Sequence, residues 1–200
     1  MKVALHEQGT RVVGTAFGAC RIGWSALGLT RVRLLAEKER EAEAASAAEE
    51  RAAGDGAGLT AGDGAELPER EDMPAFVQEA VALLVRHLGG EPQDLSGIPL
   101  DMRGLPDFHR QAYEAARRVE PGCTIGYGEL AAVLGAQGAA RAVGQAMARN
   151  PFVVVVPCHR VLAAGRRPGG FSAPGGLDTK ARLLALEGAA LPPRQLSLLG

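Results

Sequence analysis

The chain has 200 residues, 46% of them hydrophobic, which is enough to bury a real core in one large domain or two small ones. Its three cysteines, Cys20, Cys123 and Cys158, include no Cys-x-x-Cys pair, which excludes a disulfide framework and suits a reducing cytosol; the polar N-terminus excludes a signal peptide, and no apolar run reaches the length of a membrane span. The net charge of −1 conceals a division: residues 1–104 carry 11 Lys/Arg against 17 Asp/Glu (net −6), whereas residues 105–200 carry 11 against 6 (net +5), so the C-terminal half is the one suited to a polyanion.

In chain order, residues 1–35 alternate β-rich pieces with glycine. Arg11 to Phe17, Cys20 to Trp24 and Leu29 to Leu35 predict an antiparallel meander. Residues 36–72 are rich in Ala, Glu and Gly, with Glu37, Glu39, Glu41, Glu43, Glu49 and Glu50 close together; the start can form a solvated helix, and the glycines and aspartates of 54–64 predict a mobile insertion. Pro74 opens a helix with Phe76, Val77, Ala80, Val81, Leu83, Leu84 and Leu88 on one face, stopped by Gly89-Gly90. Pro99 to Gly104 reads as a short extended return before a domain boundary. His6, Cys20 and His87 are too scattered to match a zinc-ligand spacing, so no metal site is expected.

Asp107 is placed to cap a helix running through Val119, ended by Glu120-Pro121-Gly122. Tyr127 to Leu134, a turn at Gly135-Ala136-Gln137 and a second helix from about Gly138 to Arg149 form a helix-turn-helix candidate. Ala139, Ala140, Ala142, Gly144, Ala146 and Ala148 leave this second helix almost no side chains to read base edges, while Arg141 and Arg149 bring charge. It suits close approach to DNA without sequence readout, or equally tight helix packing.

Phe152-Val-Val-Val-Val156, four of them β-branched, predicts a buried strand that ends at Pro157, immediately before Cys158-His159-Arg160. A thiol at the end of a rigid element, beside a base and a guanidinium, is set up as a nucleophile with an enriched thiolate fraction; a small buried core residue is the plainer alternative. Gly165 to Gly176 has five glycines and two prolines, too many for a helix or central strand, and it lacks the Gly-Lys-Ser/Thr of a phosphate loop. It predicts a pocket wall for a flat polar ligand, with Phe171 stacking and Ser172 hydrogen bonding. Asp178 is placed to cap a last helix through Leu186, with Glu187 at its end.

Residues 99–188 together resemble the O6-alkylguanine-DNA alkyltransferases, also called methylated-DNA-protein-cysteine methyltransferases. The resemblance rests on Pro99-Leu-Asp-Met-Arg-Gly104, Ile125-Gly126-Tyr127 with Glu129-Leu130-Ala131, Ala139-Ala-Arg-Ala-Val-Gly144, Asn150-Pro151, Pro157-Cys-His-Arg-Val161 and Leu183-Leu-Ala-Leu-Glu-Gly188. It implies an α+β protein: a small ribonuclease-H-like α+β domain at 1–104 carrying the acidic insertion 36–72, a mainly helical helix-turn-helix or winged-helix-like domain at 105–190, and a tail at 191–200. The implied chemistry is single-turnover transfer of an alkyl group from O6-alkylguanine, or O4-alkylthymine, in double-stranded DNA to Cys158. His159 would act through a water as base, oriented by Glu187; Tyr127 would donate toward guanine N3, and Asn150 would hold the turn at the cysteine. Arg141 would fill the gap left by a flipped nucleotide, with Ala139, Ala140, Gly144 and Arg149 on the minor-groove surface and Val161, Phe171 and Ser172 at the base. No cofactor, no membrane contact, a cytoplasmic location and a monomer are implied. Phe171, where tyrosine is common, and the longer Ser172-Ala-Pro-Gly-Gly176 depart from the family pattern. Two other classes fit parts of the chain: a non-enzymatic lesion-binding relative, against which Cys158 argues, and a cysteine hydrolase, which has no use for the arginine-bearing bland helix.

Overall fold

The computed structural model describes residues 8–43, 45 and 73–189, so His6, most of the acidic insertion and the tail lie outside the described residues. Three strands, β1 (Gly9–Thr15), β2 (Gly18–Ser25) and β3 (Gly28–Leu34), form the expected antiparallel meander in the order β1-β2-β3. Its turns fall at glycine, as the sequence pattern requires. At Gly28, with φ +152°, a Cβ would meet the Pro99 carbonyl at 2.6 Å, so only glycine lets the 99–101 segment run against the strand. That segment bonds to β3 through Leu29 N–H to Pro99 O (2.9 Å) and Asp101 N–H to Leu29 O (2.8 Å), so the extended return is a further sheet edge.

Residues 37–43 are helical, and their acidic side chains turn back to the sheet: Glu39 pairs with Arg33 (3.4 Å) and Glu43 with Arg21. Helix α1 (Ala75–Leu88) begins after Pro74 and stops at Gly89, as expected. Its buried face is Val77, Ala80, Leu84, Leu88 and also His87, a polar group on the apolar stripe that packs toward the sheet. One continuous core joins these residues to the second half of the chain, through Tyr113, Leu130, Val143, Phe152 and Leu183.

Helix α2 (Asp107–Arg117) starts one residue earlier than a cap at Asp107 would give. Pro106 takes the cap position, and Asp107 lies in the first turn paired with Arg110. The last helix, α5 (Gly176–Leu186), corrects the sequence in the same direction: Gly175, with φ +79°, precedes it, and Asp178 lies within its first turn. Between them, β4 (Ile125–Gly126) pairs in parallel with β5 (Val161–Leu162), and α3 (Tyr127–Val133) and α4 (Ala140–Ala148) follow one another across a tight turn. Tyr113 on α2 is fully buried, donates to Ala146 O (2.9 Å) and meets Phe152 edge-on, with ring centroids 6.4 Å apart.

The valine run is not a strand. Phe152 bridges β3 at Val32 and Val153 bridges Val156, while Val154 has φ +77°, so the chain folds back on itself within five residues. A positive φ at a β-branched residue costs about 1–3 kcal/mol and persists only where the surroundings impose it. Here the imposing group is Asn150, whose Oδ1 accepts from Phe152 N–H (2.9 Å) while its Nδ2 donates to Val156 O (2.8 Å). Burial of all five side chains gives the run its apolar composition.

Candidate active site

Asn150 reaches one group further. The Nδ2 that clamps the valine turn also lies 3.3 Å from Cys158 Sγ, so a single amide fixes the loop and the thiol together. Cys158 begins a short helical turn, Cys158–Arg160, and forms part of the lining of a cavity of about 390 Å³ with Tyr127, Gly144, Met147, Phe171 and Ser172. Burial pushes the thiol up from its ordinary value, and the Asn150 hydrogen bond and the nearby Lys180 charge offset this only in part. The isolated thiol is therefore not rich in thiolate, as its neighbours in sequence suggested, and needs a base to lose its proton.

The adjacent base has the required form. Burial holds His159 below the usual histidine range, against the pull of Glu187, so the ring is neutral. Its Nε2 lies 2.8 Å from Glu187 Oε1, and its Nδ1 is buried with no protein partner. A carboxylate accepts only, so the ring proton lies on Nε2 and the Nδ1 lone pair is available to take another.

Glu187 is the hub. It is buried at the end of α5, and burial alone would raise its pKa; hydrogen bonds from His159, His87 and Arg160 outweigh that and hold it well below the carboxylate range. Arg160 contributes Nε to Oε2 and Nη2 to Oε1, both at 2.8 Å, and also donates to Val119 O beyond α2. His87 arrives from α1, 100 residues away in sequence, with Nε2 3.0 Å from Oε1. Sequence reasoning missed His87, although a histidine three residues after Leu84 on the buried stripe of α1 was a usable signal. It also missed Lys180, fully buried, which donates to Val161 O at 2.7 Å and whose burial brings it down to about 8.

Tyr127 stands at the N-terminus of α3, its ring between Gly144 and Gly169. At Gly169, φ +65°, a Cβ would meet the ring at 3.1 Å. Burial raises the Tyr127 pKa, and the Cys158 charge adds to this, so the phenol keeps its proton for donation. Glu129 closes the start of α3 by accepting from Gly126 N–H at 2.6 Å. Beyond Tyr127 lies an open groove of about 900 Å³ walled by Ala140, Arg141, Gly144 and Gln145 of α4 and by Ala164 to Arg166. Arg141 and Arg149 are exposed, and Ala139 is half-buried just ahead of α4. Phe171 and Ser172 wall the cavity. Val161 is fully buried outside its lining, with its carbonyl taken by Lys180.

A sequence profile described as the 6-O-methylguanine DNA methyltransferase DNA-binding domain matches residues 107–189. A methylated-DNA-protein-cysteine methyltransferase of Mycolicibacterium paratuberculosis is 46% identical over 116 residues, 58% of this chain and 68% of that protein. The chain belongs to the methylated-DNA-protein-cysteine methyltransferase family. A relative called a DNA base-flipping protein, from Thermus thermophilus, is 42% identical over 61% of this chain and 79% of its own length. Across nearly the whole chain, the mixed α+β fold matches the crystal structure of Mycobacterium tuberculosis OGT in complex with DNA, with TM-score 0.63 and 30% identity over 90% of this chain and 92% of that one. The O6-methylguanine-DNA methyltransferase of Pyrococcus kodakaraensis matches at TM-score 0.57 and 26% identity over 90% and 98%.

Proposed function

We propose that this protein repairs alkylated DNA by direct reversal, taking a methyl or larger alkyl group from the O6 of guanine onto Cys158. The observation that carries the reading is the thiol at the cavity wall, held by Asn150, beside a neutral histidine whose outer nitrogen is bound to a buried carboxylate. The thiol proton passes through a water to His159, with Nδ1 as the final acceptor; the sulfur attacks the alkyl carbon in line, an S–C bond forms, and the C–O bond breaks with its electron pair leaving on guanine. Tyr127 donates to the base as that charge develops. The product is a thioether, so each chain reacts once.

A base inside a duplex does not reach a thiol at a cavity wall. The alkylated nucleotide is therefore extruded into the space between Tyr127 and Phe171, with Ser172 at its edge and Arg141 entering the gap it leaves. Ala139, Ala140 and Gly144 let the minor groove approach without selecting a sequence, and Arg149 adds a phosphate contact. The N-terminal part, through residue 104, acts as a ribonuclease-H-like support, and residues 105–190 as the helix-turn-helix reaction domain. One chain holds every reacting group, so a cytoplasmic monomer working without cofactor suffices. No helix among the described residues is long and apolar enough to cross a membrane. The same displacement applies to O4-alkylthymine.

Incubation with a duplex containing one O6-methylguanine should add one methyl per chain at Cys158, read by intact mass and peptide mapping. Cys158→Ala should abolish transfer and keep DNA binding; transfer retained in that variant would sink the assignment. The 42% identical base-flipping protein gives a second reading, lesion binding without chemistry, and tight binding with no adduct on the unaltered chain would establish it. Binding should weaken steeply with salt and little with sequence.

A further inference from the structure

Glu187 has more partners than an orienting carboxylate needs. His159 and Arg160 already supply donors to both oxygens, yet Oε1 also takes His87 Nε2 at 3.0 Å, on an imidazole that is itself fully buried. The tautomer of His87 is fixed from its other side. Gln93 N–H donates to His87 Nδ1 (3.1 Å), so Nδ1 carries a lone pair and the ring proton lies on Nε2, aimed at Glu187. Gln93 lies in the loop that follows α1, where Glu91 N–H donates back to Arg86 O (3.1 Å), so the orientation of this donor is set by the N-terminal part of the chain. Three donors on one carboxylate oxygen compete for the same charge.

We propose that His87 is a positioning residue of the alkyl-transfer centre, a third donor to Glu187 Oε1 that shares the carboxylate charge and fixes the angle at which Glu187 meets His159. The inference rests on the transfer reading above. The charged and titratable groups that face this hub are His87 from α1, His159 and Arg160 from the turn after Pro157, and Glu187 from the end of α5; Lys180 acts on Cys158 and donates to Val161 O instead. With the His87 donor gone, more of the Glu187 charge falls on the His159 Nε2–H, which favours the imidazolium. The base then keeps a proton to higher pH and loses its fixed direction toward the thiol.

The test uses the full chain with His87→Leu and His87→Gln, the second keeping an N–H donor of similar reach. Two quantities are read: the rate of methyl transfer from an O6-methylguanine duplex at pH 7.5, and the titration of the His159 ring by NMR. His87→Leu should slow transfer about tenfold and move the His159 midpoint up by about one pH unit, the size of one hydrogen bond to a charged group. His87→Gln should return the midpoint to the wild-type position and the rate to within about threefold. An unmoved midpoint in a folded His87→Leu overturns the proposal, since a merely structural role would slow transfer without shifting it. Should His87→Leu not fold, a folded His87→Gln with transfer slowed tenfold or more overturns it as well. If the wild-type chain takes no methyl, the transfer reading fails on its own, and the NMR arm still decides whether His87 governs His159.

Discussion

Asn150 is the residue on which the local geometry converges. It accepts from Phe152 N–H, donates to Val156 O and touches Cys158 Sγ, all while buried. Asn150→Ala leaves one backbone donor and one acceptor unpaired inside a turn that already carries Val154 at φ +77°. At about 1–3 kcal/mol for each unsatisfied group, the variant should lose about 2–6 kcal/mol in urea unfolding. Asn150→Asp separates folding from chemistry. Its carboxylate still accepts from Phe152 N–H but gives up the donor to the thiol and places negative charge beside it, raising a Cys158 pKa that burial has already raised. Iodoacetamide labelling of Cys158, read by peptide mass against pH, should therefore show its midpoint displaced upward in Asn150→Asp. A midpoint equal to the wild-type value would remove Asn150 from any role in tuning the thiol.

At the scale of elements, α4 and the glycine loop clasp Tyr127 from two sides, and the two glycines that make this possible differ in what they tolerate. A Cβ on Gly144 would come no nearer than 4.0 Å to the ring, whereas at Gly169 it would lie at 3.1 Å with φ +65°. Gly144→Ala should stabilise the helix by up to about 1 kcal/mol in thermal unfolding while weakening duplex binding, because the methyl faces the groove that α4 presents. Gly169→Ala should cost about 1–2 kcal/mol from the left-handed backbone alone and slow transfer by displacing Tyr127. Unchanged duplex affinity in Gly144→Ala would mean that the small residues of α4 serve packing instead. Much of this scale was legible in the sequence. The meander follows from glycine punctuation, α1 from a 3.6-residue apolar stripe between Pro74 and Gly89, and the two short helices from the turn at Gly135. The valine run was misread, because periodicity reports burial but not which partner takes the backbone hydrogen bonds, and here a side-chain amide takes two of them. Helix starts at Asp107 and Asp178 were misplaced because Pro106 supplies the extended backbone that a capping aspartate would favour, and Gly175 enters its helix from the left-handed region that glycine allows. His87 escaped because its meaning lies in Glu187, which no local pattern connects to it.

For the whole molecule, Glu187 ties three distant stretches of chain together, through His87 in α1, Arg160 after the valine turn, and Arg160 again to Val119 beyond α2. The same hub makes stability depend on pH in a direction that can be worked out. The folded state holds the Glu187 carboxyl below its unfolded range, so between those limits the unfolded chain binds the extra proton; this stability is present above about pH 4.5 and is lost as pH falls. His159 acts in the same sense but earlier: its folded ring resists protonation, whereas the unfolded ring takes a proton near pH 6.5, so stability begins to fall below about pH 6.5. Asp101, held low by Arg103 against the cost of its burial, with Ser25 as a second donor, adds a loss that begins near pH 4. The urea midpoint should therefore drop from pH 7 to pH 5 and more steeply below 4.5. Glu187→Gln should cost about 3–5 kcal/mol at pH 7, since it leaves the buried Arg160 guanidinium without its carboxylate. Below pH 4.5 its curve should be flatter than the wild-type curve and approach it, the residual slope belonging to Asp101 and to Asp94, whose carboxyl the Ser96 hydrogen bonds hold low. Parallel wild-type and Glu187→Gln curves across that range would show that the hub joins the two halves through hydrogen bonds and contributes no charge linkage.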